Sequence, residues 1–423
     1  MKPQISNRAR QMPASPIRKL MPYADEAKRR GVHVYHLNIG QPDIETPEVM
    51  RQKLARVDKV LAYTPSGGTS EYLDALRQYY KRQIGVELTP SELIATTGGS
   101  EAILFAIFAA TSDGDDLLTV EPYYTNYNSF ATLAGARIVA LTAKGEDGFH
   151  LPPRAAWERA LTPRTKAVIL CNPNNPTGTV YSREEVLMVA EFCRDHGIFL
   201  IADEVYREFV YDGRTVTSTL TLEGFEEEVI VVDSLSKRYN ACGIRLGCIA
   251  TRNKDVHQAC LRMAQGRLSP PGLAQLLATG MNEVPPDYTE TVVTEYQARR
   301  DLLFAGLSNI PGVFLRQPEG AFYFVARLPI LDAEDFARWL LSDFSHEGAT
   351  VMVAPAAGFY ATPGLGRNEV RIAYVLKRSD LARAVEVFAA ALVAYRKARN
   401  LDDMPDAAMA ASDSSRRFSP PSV

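Results

Sequence analysis

Short apolar runs, each followed directly by a turn of glycine or polar residues, recur through the middle of this sequence. Five of them read as buried strands: residues 117–120, 137–143, 166–171, 198–202 and 229–232. Loops and helical patterns separate them from about residue 63 to residue 250. This alternation predicts an α/β protein with a largely parallel sheet and helices on both faces. In such a sheet the turns after the strands meet at one edge, where ligands bind.

The segment 229–250 carries the strongest chemical signal at this edge. Its strand is followed by Ser234, Ser236, Lys237 and Arg245. A lone lysine on a loop is usually solvated, but partial burial disfavours its charged form and makes the amine a nucleophile for Schiff-base formation. Hydroxyls and a guanidinium close by form a receptor for a dianion. We therefore interpret this segment as part of a site.

Three other turns support the same edge. Asp203 ends an apolar strand, where a carboxylate is costly unless a cation pairs with it. The loop N-P-N-N-P-T-G at 172–178 is extended and rigid, because a residue before proline avoids the helical region. The turn T-T-G-G-S at 96–100 enters an apolar helix, and N–H groups at a helix start bind phosphate. Many turns look like this last one, so alone it is weak evidence.

Composition excludes several classes of protein. The net charge is −3, which indicates neither a nucleic-acid partner nor an anionic membrane surface. The five cysteines are scattered, so we expect reduced thiols, a cytoplasmic location and no zinc or other metal site. The N-terminal residues lack the apolar region of a secretory signal, and the longest apolar stretch, 102–110, is too short to span a bilayer.

The spacing S-x-S-K-x5-G-x-R-x-G from Ser234 resembles the signature of the class I/II aminotransferases, which are fold-type I pyridoxal-phosphate enzymes. N-P-T-G and D-E-V-Y occur in the family's order, and the resemblance extends from residue 15 to about 397. It implies a large domain with a mostly parallel seven-stranded sheet, helices on both faces, and a smaller α/β domain. The corresponding boundaries are 1–46 for an N-terminal arm and part of the small domain, 47–300 for the large domain, 301–398 for the small domain and 399–423 for a disordered tail.

The resemblance also implies how pyridoxal 5′-phosphate is held. Lys237 would carry it as a Schiff base. Ser234 and Arg245 would bind its phosphate, with Ser236 as a further contact. The backbones of the helix start would add to the phosphate site; these residues are Gly99, Ser100 and Glu101.

The cofactor ring has its own implied contacts. Tyr124 would lie on the ring face, with Tyr123 as the second choice. Asn175 would hydrogen-bond the phenolic oxygen, and Tyr206 would face the same oxygen. Asp203 would keep the ring nitrogen protonated and so keep the ring an electron sink.

Substrate contacts follow from three further matches. Gly40, in G-Q-P-D, would lie against the substrate α-carboxylate. Arg371, in R-I-A-Y, would bind this carboxylate through both prongs of its guanidinium group, and Asn175 would help to orient it. Tyr63 would reach across a homodimer to the partner's cofactor phosphate. Arg267 has two interpretations: a contact for a distal substrate acid, or an ordinary surface arginine, which is favoured.

The resemblance therefore implies an aminotransferase that moves the amino group of an L-α-amino acid to a 2-oxo acid, by default 2-oxoglutarate, in a ping-pong reaction. Lys237 would move the proton, with Asp203 and Tyr206 as the other catalytic residues. Aspartate and aromatic amino acids both remain open as substrates. The main alternative is a lyase, cyclase or oxidase on the same scaffold. A transcription factor with an aminotransferase-like domain would need a helix-turn-helix module, for which we expect no room before residue 15.

Overall fold

The computed structural model describes residues 3–401. Most helices are short, and the two longest have 21 residues each. In chain order the α-helices of this part of the chain are α1 (Asn7–Gln11), α2 (Met21–Arg29), α3 (Glu48–Gln52), α4 (Ser70–Ile84), α5 (Gly98–Ala110), α6 (Asn126–Ala134), α7 (Arg154–Ala160), α8 (Arg183–Asp195), α9 (Leu235–Arg238), α10 (Lys254–Arg267), α11 (Gly272–Ala278), α12 (Tyr288–Ser308), α13 (Ala333–Ser342) and α14 (Arg378–Ala398).

The strands are mostly four to seven residues long and form three sheets. They are β1 (His33–His36), β2 (Leu93–Thr96), β3 (Asp116–Glu121), β4 (Arg137–Thr142), β5 (Thr165–Cys171), β6 (Phe199–Asp203), β7 (Val229–Ser234), β8 (Gly247–Ala250), β9 (Phe314–Leu315), β10 (Tyr323–Arg327), β11 (Ala349–Met352), β12 (Ala354–Pro355) and β13 (Glu369–Ala373).

The chain divides into two compact units. Unit 1 consists of residues 3–13, 41–297 and 319–321; unit 2 consists of residues 14–40, 298–318 and 322–401. The domain boundaries proposed from the sequence remain predictions. The tail 399–423, predicted to be disordered, lies outside the described residues from residue 402 onward.

Unit 1 is built on a seven-stranded sheet in the order β2-β8-β7-β6-β5-β3-β4. Strand β8 is antiparallel to both of its neighbours, and the other pairs are parallel. Helix α5 packs against β6, β7 and β8, and α8 packs against β6. The predicted fold class, a mostly parallel seven-stranded sheet with helices, is confirmed.

Buried apolar side chains on the central strands explain this layering. Ile169, Ile201, Ile230 and Val232 are completely buried and pack with the apolar residues of α5 in one core. Covered strands of a parallel sheet are expected to be apolar throughout. The turns after these strands must therefore carry the polar groups of the site.

Helix α4 illustrates how the local sequence sets the elements around the sheet. Thr69 caps its start by accepting a hydrogen bond from Tyr72 N, and Gly85 ends it in the left-handed conformation, with φ +70°. Its inward face includes Tyr72, Leu76 and Tyr79, which are almost fully buried. Tyr72 Oη donates to the carbonyl of Gly247, which ties α4 to β8.

Unit 2 has a parallel pair, β1–β11, and a four-stranded antiparallel sheet in the order β12-β13-β10-β9. Helices α13 and α14 pack against β11. A 3-10 turn, Arg18–Leu20, leads directly into α2. Among residues 3–401, no helix is both long and apolar enough to cross a bilayer, and no group of three or more His, Cys, Asp or Glu side chains is placed to hold a metal ion.

Candidate active site

The turn after β7 places Ser234, Ser236 and Lys237 together at the carboxyl edge of the unit 1 sheet. Ser234 Oγ accepts a hydrogen bond from Ser236 N at 3.2 Å and lies 3.0 Å from Ser236 Oγ, so it caps the short helix α9. Lys237 is partly buried. Its Nζ lies 3.8 Å from Cys242 Sγ and 5.9 Å from the centre of the Tyr206 ring. This amine therefore faces the next turn of the sheet.

Arg245 and the start of α5 form a compact group with Ser234. A Cβ atom added to Gly98 would lie only 2.6 Å from Arg245 Nη2, and one added to Gly99 would lie 3.6 Å from Ser234 Cβ. Gly98 has φ +73°, so both its conformation and this close approach require glycine. Arg245 Nη1 also donates to the carbonyl of Cys242 at 2.9 Å. N–H groups, a hydroxyl and a guanidinium in this arrangement suit a phosphate.

The other two residues predicted at the start of α5 lie in its first turn. Ser100 is partly buried. The Glu101 carboxylate accepts a hydrogen bond from Thr97 N at 2.7 Å, so its side chain caps the helix and leaves only its backbone for a ligand.

Asp203 is a buried carboxylate at the end of β6, with 3% of its surface exposed. It accepts hydrogen bonds from Tyr127 Oη at 2.7 Å and from Val205 N at 3.4 Å. Burial nevertheless raises the pKa of Asp203 to about 6. No cationic side chain among residues 3–401 forms an ion pair with it. A bound cation such as a protonated ring nitrogen would compensate this charge, so the residues present fit pyridoxal phosphate.

Tyr127, which donates a hydrogen bond to Asp203, was not predicted from the sequence. It lies 76 positions before Asp203, in α6. Its ring is completely buried and lies edge-on to Tyr124, with centroids 5.5 Å apart. The only local signal for it is its place in the aromatic run after β3.

Asn175 and Tyr206, both predicted to contact the phenolic oxygen of the cofactor, lie within hydrogen-bond distance of each other. Asn175 Nδ2 donates to Tyr206 Oη at 3.4 Å, and both side chains are buried. The turns after β5 and β6 bring them together, because β5 and β6 pair in parallel register with Cys171 opposite Asp203. Two hydrogen-bonding groups thus converge beside Lys237.

The two tyrosines considered for the cofactor ring differ in exposure. Tyr123 is 1% exposed and donates to Asn128 Oδ1 at 2.7 Å, and burial raises the pKa of its phenol. Tyr124 is only partly buried, and its hydroxyl accepts a hydrogen bond from Asn126 Nδ2 at 2.8 Å. Of the two, only Tyr124 has ring surface available for a ligand.

Gly40 and Arg371 lie in unit 2, where they are linked through Tyr323. Arg371 is 2% exposed. Its Nη2 donates to the carbonyl of Asn38 at 2.5 Å, and its guanidinium lies 4.5 Å from the centre of the Tyr323 ring. A Cβ atom on Gly40 would lie 1.7 Å from Tyr323 Oη. Neither Asn38 nor Tyr323 was predicted from the sequence.

The loop that carries Tyr63 is anchored, although Tyr63 itself is 83% exposed. Arg267 Nη2 donates to the carbonyls of Ser66 at 3.3 Å and Ala95 at 3.2 Å, and its Nε lies 3.5 Å from Glu101 Oε1. Burial lowers the pKa of Arg267. The favoured interpretation of Arg267 as an ordinary surface arginine is therefore wrong: it ties the Tyr63 loop to β2 and α5.

Cys242 is the most accessible of the five cysteines, all of which lie within residues 3–401. Burial raises the pKa of the other four thiols, those of Cys171, Cys193, Cys248 and Cys260. We expect a small thiol reagent to modify Cys242 first in the native protein, because reaction requires an accessible thiolate. Peptide mass analysis over time checks this order. Cys242→Ser should remove the fast phase, and fast labelling of a buried cysteine would contradict the described packing.

Comparison with known proteins places this site in a family. The profile of a family described as "Aminotransferase class I and II" matches residues 32–388. A probable aspartate/prephenate aminotransferase of Aquifex aeolicus is 31% identical over 391 residues, covering 91% of this chain and 98% of the relative. The aspartate/prephenate aminotransferase of Thermus thermophilus is 32% identical over 396 residues, covering 92% and 98%.

Solved structures agree with these matches. An aspartate aminotransferase from Thermus thermophilus with maleate has a TM-score of 0.82 and 30% identity, covering 92% of this chain and 100% of that one. An alanine aminotransferase from Pyrococcus furiosus has a TM-score of 0.84 and 27% identity, with the same two coverages.

Proposed function

We propose a substrate and a set of residue roles from one premise: the chain belongs to the class I and II aminotransferase family and is a pyridoxal-phosphate-dependent aminotransferase. Its donor substrate is L-aspartate, and its acceptor is 2-oxoglutarate. The names of the relatives support the donor, and the Thermus structure with maleate supports a site for dicarboxylates. A second acceptor is prephenate, after which the Aquifex and Thermus relatives are named.

The observation that carries the residue roles is the buried charge of Asp203. A carboxylate with no cation beside it in the described chain fits a ligand that brings one. When bound, pyridoxal phosphate supplies an electron sink for the negative charge left at the substrate Cα. Asp203 holds the proton on its ring nitrogen. Asn175 and Tyr206 donate hydrogen bonds to its phenolic oxygen.

Binding and proton transfer fall to the neighbouring turns. Ser234, Ser236, Arg245 and the N–H groups of residues 99–101 hold the phosphate, and Tyr124 covers the ring. Lys237 attaches the cofactor. The Lys237 amine would also take the proton from the substrate Cα. The partly buried position of Nζ beside Tyr206 supports this role, because it directs the amine to the same oxygen-binding group.

Arg371 binds the α-carboxylate of the substrate through its guanidinium fork. A nearly buried arginine stacked on Tyr323 is held in one orientation, which suits recognition of a planar carboxylate. Gly40 gives Tyr323 the space to support Arg371.

A titration of the purified, cofactor-loaded protein with amino acids tests the function. L-Aspartate should remove the visible absorption band in proportion to the oxaloacetate formed, and 2-oxoglutarate or prephenate should restore it. D-Aspartate is the control and should leave the band unchanged. Full conversion by an aromatic amino acid or alanine, with no response to L-aspartate, would overturn the proposed donor.

Gly40→Ala should weaken substrate binding without disturbing the cofactor. The new methyl group collides with Tyr323 Oη, so Tyr323 and the stacked Arg371 must shift. Loss of one charge-assisted hydrogen bond costs about 1.5 kcal/mol, so KM for aspartate should rise roughly tenfold. Steady-state kinetics measures this change. Gly266→Ala is the matched control, since its methyl group meets no atom within 4 Å. An unchanged KM in Gly40→Ala would remove this residue from the carboxylate site.

We also propose that the protein is a cytoplasmic homodimer. Val60, Leu61 and Tyr63 are 76%, 68% and 83% exposed within four residues, and such an exposed apolar group favours a protein partner. A second copy would cover it and place Tyr63 against the partner's cofactor phosphate. The free cysteines favour a reducing compartment.

Light scattering tests the dimer and should give twice the chain mass. Leu61→Asp should shift the measured mass toward that of a monomer. A monomeric wild type would refute the dimer.

A further inference from the structure

Five charged side chains form a connected group inside unit 1, next to the proposed cofactor residues. We call it the ion network: Glu204, Arg207, Glu208, Asp233 and Arg238. Each of these side chains is 7% exposed or less. None of them belongs to the machinery proposed above.

Asp233 is the centre of the ion network. Its Oδ2 accepts hydrogen bonds from Arg207 Nη2 at 3.0 Å and from Arg238 Nη2 at 2.6 Å, and also from Tyr80 Oη at 2.9 Å. Although burial opposes ionisation, the two arginines hold the pKa of Asp233 below its usual range. Tyr79 supports the arginines from α4: its ring centre lies 3.8 Å from the Arg238 guanidinium.

The outer members connect the two arginines to the turn after β6. Arg207 Nη1 donates to Glu204 Oε2 at 2.8 Å, and Arg238 Nε donates to Glu208 Oε1 at 2.9 Å. Glu204 also accepts hydrogen bonds from Ser218 Oγ at 2.7 Å, from Thr219 N at 2.8 Å and from Thr219 Oγ1 at 2.9 Å. The end of β7, which carries Asp233, and helix α9, which carries Arg238, are thereby cross-linked to residues 204–208 after β6.

The ion network alternates along the chain with the proposed cofactor residues. Each of four members is the direct neighbour of one such residue; the pairs are Asp203–Glu204, Tyr206–Arg207, Asp233–Ser234 and Lys237–Arg238. Fixing one residue of such a pair fixes the backbone of the other. The cross-links therefore determine where Lys237 lies relative to Asp203 and Tyr206.

Stability alone explains the ion network poorly. Removing several charges from water costs free energy that their mutual attraction often fails to recover, and apolar replacements are frequently no less stable. In addition, Arg207 Nε, Glu208 Oε2 and Arg238 Nη1 are buried without a hydrogen-bond partner among residues 3–401. Because the buried charges and unpaired polar atoms cost free energy, the ion network is better explained by the positions in which it holds the two neighbouring turns.

We infer that Arg207 and Arg238 are positioning residues for the cofactor site: through Asp233 and Glu208 they hold the Lys237 turn in register with the Asp203–Tyr206 turn. The inference rests on the roles proposed above for Lys237 and Asp203. Neither arginine is among the residues proposed to contact the substrate or the cofactor. Their effect on the reaction passes through the backbone that they share with the cofactor residues.

Arg238→Lys is the test variant, because it keeps the positive charge and removes the planar fork. A displacement of Lys237 by about 1 Å should lower kcat about 100-fold, with KM for aspartate little changed. Three readouts do not depend on turnover: the dissociation constant of pyridoxal phosphate, the pH midpoint of its visible band, and the thermal midpoint of the cofactor-free protein. We expect weaker cofactor binding and a shifted pH midpoint in the variant.

Arg137→Lys is the matched control. Arg137 also binds a fully buried carboxylate, that of Asp116 at the other edge of the same sheet, through Nε and Nη2 at 2.9 Å each, although the Arg137 side chain is 58% exposed. The control should lower the thermal midpoint and leave the cofactor readouts at wild-type values. If Arg238→Lys does not fold, Arg207→Lys tests the same cross-link through Asp233.

The outcomes separate this inference from the proposed function. Loss of thermal stability in Arg238→Lys with unchanged cofactor affinity, pH midpoint and kcat would show a structural role only and overturn the inference. If the wild-type protein shows no visible cofactor band, or if the band does not depend on Lys237, the proposed function itself is overturned. Shifted cofactor readouts in Arg238→Lys, with none in Arg137→Lys, would support the positioning role.

Discussion

Replacing Lys237 with alanine is expected to lower kcat for transamination by about 10⁴-fold or more, because one residue supplies both the covalent attachment and the proton transfer. The phosphate-binding groups around Arg245 and Gly98 do not involve the lysine side chain. The variant should therefore still bind pyridoxal phosphate, but without a covalent bond. Borohydride reduction followed by mass spectrometry should attach the cofactor to wild-type protein and not to the variant.

Two further measurements distinguish this role from general damage. Lys166→Ala is the matched control, since Lys166 is an exposed residue on β5 of the same sheet and should keep wild-type activity and labelling. Added methylamine should partly restore proton transfer in Lys237→Ala, because a small amine can occupy the space of the missing side chain. Activity within about tenfold of wild type, or labelling that persists in the variant, would assign the attachment to another lysine.

The strand–turn pattern predicted the central sheet because its strands are buried on both faces. The run at 198–202, for example, became β6 (Phe199–Asp203), one residue later. Strand β2, four residues long, escaped prediction. It pairs with β8, about 150 residues away, and the local pattern of apolar residues carries no information about such a distant partner. The reversed direction of β8 has the same long-range origin.

The candidate site shows the same division between local and distant information. Turns such as Ser234–Lys237 could be predicted because their chemistry is contiguous in the chain. The hydrogen bond from Tyr127 to Asp203 joins different turns, and the contact of Gly40 with Tyr323 joins positions nearly 300 residues apart. Arg207 and Arg238 stand in charged and polar stretches of the sequence, D-E-V-Y-R-E and D-S-L-S-K-R, so no local pattern marks them as buried.

Asp203→Asn should make the cofactor-free protein more stable and the enzyme much slower. The folded-state pKa of Asp203, about 6, lies above the ordinary value of 3.8 because of burial. The protonated form is therefore favoured by folding, and this stability is fully present below about pH 3.8 and lost as the pH rises through 6. At pH 7.5 the ionised carboxylate destabilises the cofactor-free protein by roughly 3 kcal/mol, part of which the neutral amide should recover.

The effect on the loaded enzyme has the opposite direction. Asparagine keeps the shape of the side chain but cannot compensate a protonated ring nitrogen, so cofactor binding should weaken and kcat should fall by about 10³-fold. Thermal unfolding of both forms between pH 5 and 7.5, together with steady-state kinetics, checks the two directions. In the cofactor-free form, the advantage of Asp203→Asn over wild type should shrink as the pH falls.

Tyr127→Phe is the matched control for Asp203→Asn. It removes the 2.7 Å hydrogen bond to the carboxylate and keeps the charge, so kcat should fall by only about tenfold. A purely structural Asp203 would give the reverse pattern, with Asp203→Asn less stable than wild type in the cofactor-free form. Opposite signs in the two forms can arise only if the buried charge is costly by itself and is compensated when the cofactor binds. That combination would assign Asp203 to the ring nitrogen without relying on family resemblance.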